Sequence, residues 1–442
     1  FGKPNDNNYE YWYTAAQYLS YGGVLKTIRV DSTSLKNGVD TGTAVKIKNL
    51  NEYEQTFIDA NNTWSWAART AGSKGNSIGI FVTDAGPDQI AVIPAPGSGN
   101  EFEFVADEAV SAASGAAGKV FKYSLALTVE SVVGDFVVGT ATTISIGGSN
   151  EAVNVLAWDP ANKVLEIGLP SGGVTGIIAD AQTITQGTNT ADIASSGIER
   201  RLYVAKNKDS IDFAASDSLQ DTNSNAAVVT SVRVEYNERE YLPGVKWVNV
   251  APRPGTSSWA TQNGGFRDEM HIVVVDIDGK ITGTTGAVLE RFVGVAKGSD
   301  AKTTIGETNY YVEVIKQRSA YIYWGEHETG VFNATATASD GNWGLSSDRQ
   351  FNLLRSSTGS TDFPAGRTTV GSKNNATFYY RLQGGVDYAA AGGNYTITNS
   401  DISTAYELTA DPESQTIDYI LAGPSGASDA ASLAKITSLV NI

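Results

Sequence analysis

The spacing of short apolar runs between residues 87 and 238 most constrains what this chain can fold into. Runs of Val, Ile and Phe alternate there with Gly, Asn, Asp and Pro at near-regular intervals, which is typical of strands joined by turns. The clearest runs are residues 136–138, 143–146, 152–156 and 164–169. We therefore predict an inserted, mostly β unit over residues 87–238, with residues 109–118 as a short helix or a flexible loop within it.

A hairpin turn is predicted inside this unit at Trp158-Asp159-Pro160-Ala161-Asn162-Lys163. Pro160 fixes its own φ at a value that turns use, and Asn162 tolerates the left-handed conformation. These two properties predict that the runs on either side of the segment pair as antiparallel strands.

Other strands are predicted on both sides of the unit. Ile78, Ile80 and Val82 alternate along one face of a strand that follows a turn-rich segment. Residues 270–276 are nearly all apolar, as a buried strand requires. Further strands are predicted at residues 288–292, 310–315 and 319–324.

Both ends of the chain carry helical patterns. Near the start, one helix face is formed by Trp12, Ala15, Ala16 and Leu19. Gly22 and Gly23 end this helix, and Ile28 with Val30 is predicted to begin a strand. A closing helix is predicted to bury the face that carries Leu433, Ile436 and Val440.

The composition indicates the fold class. A chain of 442 residues is too long for one ordinary core, so two to four domains are expected. Hydrophobic residues make up 41% of the chain and charged residues only 18%, while 46 glycines accompany many Thr, Ser and Val residues. We predict an α+β, multidomain protein with a small α/β core piece and large β-rich inserted domains.

Charge and cysteine content exclude several classes of function. A formal net charge of −16 disfavours direct nucleic-acid binding, which needs Lys and Arg to neutralise phosphates. The chain has no cysteine, so disulfides, thiolate metal sites and cysteine nucleophiles are absent. No apolar run approaches the length of a transmembrane helix, and we predict no membrane insertion.

An ordered set of motifs opens the chain and carries a family resemblance. Phe1-Gly2-Lys3-Pro4 comes first, the aromatic-rich helix follows, and Tyr21-Gly22-Gly23 and Arg29-Val30 complete the set. This order resembles the contractile tail sheath proteins of bacteriophages, of the myovirus type. The segment Ala71-Gly72-Ser73-Lys74-Gly75-Asn76 is similar to a second sheath passage, although the family has Pro-Gly at the first two positions.

The resemblance implies a mechanical function. Sheath subunits assemble as stacked hexameric rings around a tail tube and contract to drive the tube through the host envelope. The implied partners are further copies of the chain, the tail tube protein, the baseplate and the tail terminator. The implied location is the virion's contractile tail, after assembly in the host cytoplasm.

The resemblance also implies that this chain lacks the N-terminal arm and the C-terminal domain of the family. We therefore expect the chain by itself to be monomeric or weakly associating, although the longer protein polymerises. The functional surfaces are expected on residues 1–30 and 419–442.

Three sets of domain boundaries follow from the resemblance and from the shifts in composition. Residues 1–33 and 416–442 are predicted to belong to a tube-proximal α/β core domain. Residues 34–86 and 239–415 are predicted to form a middle β-rich domain, into which the outward β domain of residues 87–238 is inserted.

No catalytic, metal or cofactor site is predicted, and the chain is not expected to be an enzyme. His271 and His327 are the only histidines, and neither has a second histidine at metal-binding spacing. Asp276 and Asp278 resemble the opening of a calcium loop but lack the later Glu, so a hairpin turn is predicted. The loop 72–76 lacks the helix and the Lys-Ser/Thr ending of a phosphate-binding loop.

The enzyme class that the sequence leaves open is a glycosidase, which uses two carboxylates. Two carboxylate pairs, Glu238 with Glu240 and Glu326 with Glu328, are each expected to place two acids on one strand face, where a solvated edge is the simpler interpretation.

An adhesin that binds glycans is the alternative class. The tryptophans considered for sugar stacking, each expected instead in a core or packed on a strand, are Trp64, Trp66, Trp158, Trp247, Trp259, Trp324 and Trp343. A glycan array with residues 87–238 would distinguish an adhesin from a sheath protein.

Overall fold

A computed structural model describes most of the chain between residues 35 and 326 and several shorter segments. The described residues are 4, 9–28, 30, 35–58, 60–106, 108–223, 225–242, 244–326, 377–387, 399–407, 419–421 and 429–440. Their helices are α1 Tyr9–Ser20, α2 Leu50–Thr56, α3 Ser258–Gln262, α4 Tyr311–Arg318, α5 Asn399–Tyr406 and α6 Asp429–Val440. Short 3-10 helices cover Ser73–Ser77, Glu235–Asn237 and Trp247–Asn249.

Strands dominate the described residues. The first ten are β1 Trp66–Ala68, β2 Ile78–Asp84, β3 Gln89–Ile93, β4 Ala109–Ala112, β5 Ala117–Val133, β6 Thr142–Ile146, β7 Ser149–Asp159, β8 Val164–Gly168, β9 Thr183–Gln186 and β10 Asn189–Lys206. The others are β11 Ser218–Asp221, β12 Ala226–Val228, β13 Ser231–Val234, β14 Glu240–Leu242, β15 Val245–Lys246, β16 Glu269–Asp276, β17 Ala287–Ala296, β18 Ile322–Trp324 and β19 Thr377–Arg381. The protein is thus a β-rich, multidomain α+β protein, as the sequence predicts.

The largest sheet has eleven strands, in the order β12-β11-β4-β5-β8-β7-β6-β9-β10-β3-β13. Part of it closes on itself, because β5 pairs with both β8 and β10. The two long strands β5 and β10 bend through register shifts, for example between Ile193 and Ile198 of β10. One continuous apolar core, which includes Leu125, Ile144, Val155 and Ile184, fills the interior.

A second sheet has four antiparallel strands in the order β17-β16-β2-β19. Ile78, Ile80 and Val82 of β2 share one core, and Phe81 points into a different core on the opposite face. Each residue of β2 is buried, which explains why its sequence is more apolar than simple alternation requires. The predicted strands at residues 78–82, 270–276 and 288–292 are therefore confirmed.

The strand predicted at residues 310–315 is wrong, because Tyr311–Arg318 is helix α4. Its β-branched and aromatic residues favour strands locally, but Tyr311, Val314 and Ile315 are spaced as one helix face and are buried against the four-stranded sheet. The strand predicted at 319–324 forms only at Ile322–Trp324, which pairs with β1.

Two predictions inside the eleven-stranded sheet are also wrong. Residues 109–118 are neither a helix nor a loop, since β4 pairs with the start of β5 and Gly115 takes a positive φ of 97° in the turn. Residues 136–138 run as a loop, in which Phe136 packs into the core and Val137 bonds Gln186 through its backbone.

The hairpin turn between β7 and β8 is confirmed, with a change in detail. The left-handed residue is Lys163, with φ of 53°, and not Asn162. Asp159 organises the turn instead, because its Oδ1 accepts hydrogen bonds from the backbone N–H groups of Ala161 and Asn162.

Helix α1 is confirmed, and Gly22 follows it with φ of 82°. The strand predicted at Ile28 and Val30 is wrong for the described residues 23–28 and 30, which are irregular and pair with no described strand. None of the helices in the described ranges is long and apolar enough to cross a bilayer.

Candidate functional site

Helix α1 places large apolar side chains in solvent. No residue of the helix is fully buried, and its predicted face is only half-buried at Trp12, Ala15 and Ala16. Leu19 of the same face is 43% exposed. Exposed aromatic side chains on and just after the helix are Tyr9, Tyr11, Tyr13 and Tyr21. Single exposed apolar residues are common, but such a concentration on one helix is typical of an interaction surface.

Helix α6 has the same character, and the face predicted to be buried is exposed. Leu433, Ile436 and Val440 are 66%, 53% and 77% exposed. The buried residues are instead Lys435 and Leu439, on another side of the helix. Spacing alone finds the apolar face of a helix but not whether the folded chain covers it.

Contacts between the described helices at the two ends of the chain bring these residues into one region. The Lys435 ammonium lies 5.8 Å from the centre of the Tyr11 ring, and burial lowers the pKa of Lys435. Helix α5 packs on α6, and the hydroxyl of Tyr406 on α5 donates to the carbonyl of Leu421 at 3.5 Å. We call the exposed members the terminal apolar residues: Tyr9, Tyr11, Tyr13, Leu19, Tyr21, Val24, Tyr419, Ile420, Leu421, Leu433, Ile436 and Val440.

His271 lies in the core of the four-stranded sheet. Its side chain is almost fully buried, Nε2 contacts the carbonyl of Pro252 at 2.7 Å, and Nδ1 accepts from the N–H of Gly294 at 3.0 Å. Both ring nitrogens therefore serve backbone groups, and this pattern requires a neutral ring with the proton on Nε2. His327 lies outside the described residues.

This environment predicts a pH-dependent contribution to stability from His271. Burial lowers the pKa of His271 below its ordinary 6.5, while the hydrogen bond to Pro252 opposes the shift. Below pH about 6.5 the unfolded chain gains a proton at this residue before the folded chain does, so the free energy of unfolding falls by at most about 1.4 kcal/mol per pH unit. The loss ends once the pH is below the folded pKa.

Urea titrations at several pH values between about 7.5 and 5 check this expectation in the chain and in His271→Gln. The variant is expected to lose less stability over this range, whatever its stability at neutral pH. Parallel losses in both proteins would show that His271 does not cause the pH dependence.

Asp276 organises the turn between β16 and β17, as the hairpin interpretation requires. Its Oδ2 accepts hydrogen bonds from the backbone N–H groups of Ile281 and Thr282, at 2.9 and 2.7 Å, and its Oδ1 accepts from the Ser77 hydroxyl. Burial opposes ionisation, but these hydrogen bonds outweigh it and lower the pKa of Asp276. Asp278 accepts from Arg381 at 2.8 Å. Within the described ranges, no group of three or more His, Asp or Glu residues is placed to hold a metal ion.

The first carboxylate pair does not share one strand face. Glu238 follows the 3-10 helix Glu235–Asn237 and accepts from Arg233 at 2.6 Å. Glu240 begins β14, and its carboxylate accepts from the N–H of Gly244. Of the second pair, Glu328 lies outside the described residues.

The glycine-rich loop of residues 72–76 contacts a carboxylate of the same chain, that of Asp387. The backbone N–H and the hydroxyl of Ser73 both donate to the carboxylate of Asp387, the first at 3.0 Å. Asn76 holds the same segment through the backbone of Gly385. The loop therefore fixes residues 385–387 beside the four-stranded sheet.

The described tryptophans among those considered for sugar stacking pack within the fold. Trp64, Trp66, Trp247 and Trp324 are buried. Trp158 and Trp259 are partly buried and donate from Nε1 to Asp135 and Asp300, at 3.0 and 3.1 Å. Trp343 lies outside the described residues.

A cluster of charged side chains surrounds residues 83–88, where the chain crosses from the four-stranded to the eleven-stranded sheet. Arg239 is fully buried, pairs with Glu235, and donates to the carbonyl of Asp84 at 2.7 Å. Asp88 accepts from Arg253 and Arg267, both at 2.6 Å. The buried Lys297 ammonium donates to Asp84 at 2.7 Å.

We call these side chains the crossover cluster: Asp84, Asp88, Glu235, Arg239, Arg253, Arg267 and Lys297. The sequence does not reveal this cluster. Arg253 and Arg267 are 165 and 179 positions from their shared partner Asp88. Two features of the sequence mark these residues as unusual. Charged residues are few in the whole chain, and Arg253 lies between Pro252 and Pro254.

The described residues thus define a β-rich multidomain α+β protein with apolar side chains exposed on its terminal helices. Over 254 residues, 54% of this chain, the sequence is 28% identical to the "Tail sheath protein" of Salmonella phage ViI. The chain spans about a third of the length of that relative, since the match covers 36% of it. No family model matches the chain, and no solved structure matches it.

Proposed function

We propose that this chain is a tail sheath-like protein with a structural role in a phage tail. The observation that carries the proposal is its similarity to a protein named as a tail sheath protein. In its finer form, the proposal is a subunit of stacked hexameric rings that surround a tail tube and contract to drive the tube through the host envelope. The partners are then other copies of the chain, the tube, the baseplate and the tail terminator, and the location is the virion.

Contraction requires subunits that stay folded while their contacts change. Such a transition needs two discrete packings of rigid units, the extended one being metastable. The extensively paired sheets, with long strands such as β5 and β10, are suited to move as rigid units.

We also propose the domain boundaries given above as the division of this subunit. The eleven-stranded sheet, which lies between Gln89 and Val234, supports an outward domain over residues 87–238. The four-stranded sheet combines β2 with β16, β17 and β19, which supports a middle domain assembled from segments on both sides of the insertion.

The terminal apolar residues are proposed as contacts with the tube or with neighbouring subunits. Removing exposed apolar area from water favours association by roughly 25 cal/mol per Å². Leu433 and Ile436 are good positions for a test, because both are more than half exposed and lie on one helix face.

The double variant Leu433→Glu/Ile436→Glu is expected to abolish assembly without unfolding the protein. Two carboxylates at the contact must be desolvated when it forms, which costs several kcal/mol per charge. The test expresses the whole open reading frame that encodes this sequence and measures sedimentation of the assembled and unassembled protein.

The matched control is Ile211→Glu/Ile305→Glu, which changes residues that are 55% and 79% exposed elsewhere on the surface. The control is expected to assemble like the unchanged protein. Equal assembly of all three proteins would remove α6 from the proposed contact, and equal loss in both variants would attribute the effect to charge alone.

A further inference from the structure

A pocket of about 170 Å³ lies beside the crossover between the two large sheets. Its walls come from the crossover itself, from the segment that follows β10, and from residues 253–256 and 266–267 before β16. The charged residues in its lining are Asp88, Lys206, Lys208, Arg253 and Arg267. Four cationic side chains therefore line the pocket with one carboxylate, in a chain whose net charge is −16.

The cations exceed the anions available to them. Asp88 serves both guanidinium groups and also accepts from the backbone N–H of Lys206. The ammonium of Lys206 pairs with Asp212. Even when that pair is counted as neutral, the pocket lining holds three cationic side chains and one carboxylate, an excess of positive charge that favours an anion.

Within the described part of the chain, Arg267 is a buried cation of the pocket with an unused hydrogen-bond donor. Its side chain is 5% exposed, and its Nη2 donates to Asp88. Its Nη1 is buried and has no hydrogen-bond partner among the described residues. Burial and the nearby Arg253 lower the pKa of Arg267, although Asp88 opposes the shift. An unpaired buried donor of a charged group is costly, and an anion bound beside it would lower that cost.

The backbone holds Arg267 in this arrangement. Its φ is +61°, a conformation that a side chain with a Cβ adopts only at some cost. Its guanidinium also lies 4.8 Å from the centre of the Phe266 ring. By contrast, Arg253 already donates from all three of its nitrogens, to Ala85, Asp88 and Gly86.

We infer that this pocket binds a small oxyanion, a phosphate or a carboxylate group, with Arg267 and Lys208 as its main cationic contacts. Guanidinium groups favour such anions because they offer planar pairs of N–H donors. A bound oxyanion would join the crossover, the end of β10 and residues 253–267, and so stabilise the junction between the two sheets by mass action.

The test measures thermal unfolding and calorimetric binding of the full chain with sodium phosphate, sodium acetate and sodium chloride at equal ionic strength. We expect saturable binding and a higher Tm with an oxyanion than with chloride. A response to phosphate alone would identify a phosphate group as the ligand, and an equal or stronger response to acetate would identify a carboxylate. Equal responses to all three salts would overturn the inference.

Three variants assign the effect to this pocket. Lys208→Ala, at an exposed position, is expected to weaken oxyanion binding about threefold or more, and Arg267→Met about tenfold or more. Lys280→Ala is the matched control, because it changes an exposed lysine beyond the opposite end of β16. Lys208→Ala tests the site even if Arg267→Met fails to fold, and equal binding by Lys208→Ala and the unchanged chain would contradict the assignment.

Discussion

Replacing Arg239 by alanine is expected to lower the free energy of unfolding by about 3–5 kcal/mol. Arg239 is fully buried, and so is its partner Glu235. The guanidinium also donates to the Thr83 hydroxyl at 2.8 Å and to the carbonyl of Asp84 at 2.7 Å. The substitution leaves a buried carboxylate without its cation and deprives these oxygens of their donor.

Burial raises the pKa of Glu235 although Arg239 opposes the shift, which shows how unfavourable an isolated charge is at this position. Urea unfolding followed by circular dichroism measures the loss. Arg233→Ala is the matched control, since Arg233 is 31% exposed and pairs with Glu199 and Glu238 near the surface. The control is expected to cost about 1 kcal/mol or less. Similar losses for the two variants would contradict the role given to burial.

Trp247→Ala is expected to cost about 3–5 kcal/mol, because it opens a large cavity in a fully packed core. Trp247 is completely buried, and its ring centre lies 5.0 Å from that of Tyr241. Its Nε1 donates to the hydroxyl of Thr377 on β19 at 2.8 Å, so the variant also removes a buried hydrogen bond.

The control for this prediction is Trp158→Ala. Trp158 is only partly buried, and its ring centre lies 5.4 Å from that of Phe136. Its removal is expected to lower the free energy of unfolding by about half as much or less, because folding buries less apolar surface of Trp158 than of Trp247. Urea titrations measure the free energy of unfolding of both variants. An equal loss in the two would show that burial does not determine how much Trp247 contributes to stability.

Local sequence patterns predicted the strands that pack by simple rules. Alternation at Ile78, Ile80 and Val82 located β2, and the apolar run from Met270 located β16. In both cases the apolar pattern within one strand predicts which of its side chains are buried, so no knowledge of distant residues is needed.

The patterns failed where distant contacts decide the outcome. Tyr311, Val314 and Ile315 favour a strand by composition but form a helix, because packing against the four-stranded sheet buries one helix face. The exposed face of α6 at Leu433 and Ile436 has the spacing of a buried face. Spacing carries no information about whether a neighbour is present to cover it.

Of the two candidate sites, one is predicted from local sequence patterns and the other is not. The sequence predicts functional surfaces on residues 1–30 and 419–442, and this stays a prediction, although α1 and α6 carry a concentration of exposed apolar residues. The crossover cluster was not predictable, since Asp88 meets Arg253 and Arg267 only when two sheets are brought together.

The proposed sheath role is tested most directly by negative-stain electron microscopy of the whole open reading frame that encodes this sequence. The protein is expressed alone and together with the tail tube protein from the same source. Striated tubes, alone or around the tube protein, are the result that the proposal predicts. Discrete particles under both conditions, at concentrations where the protein is folded, would contradict it.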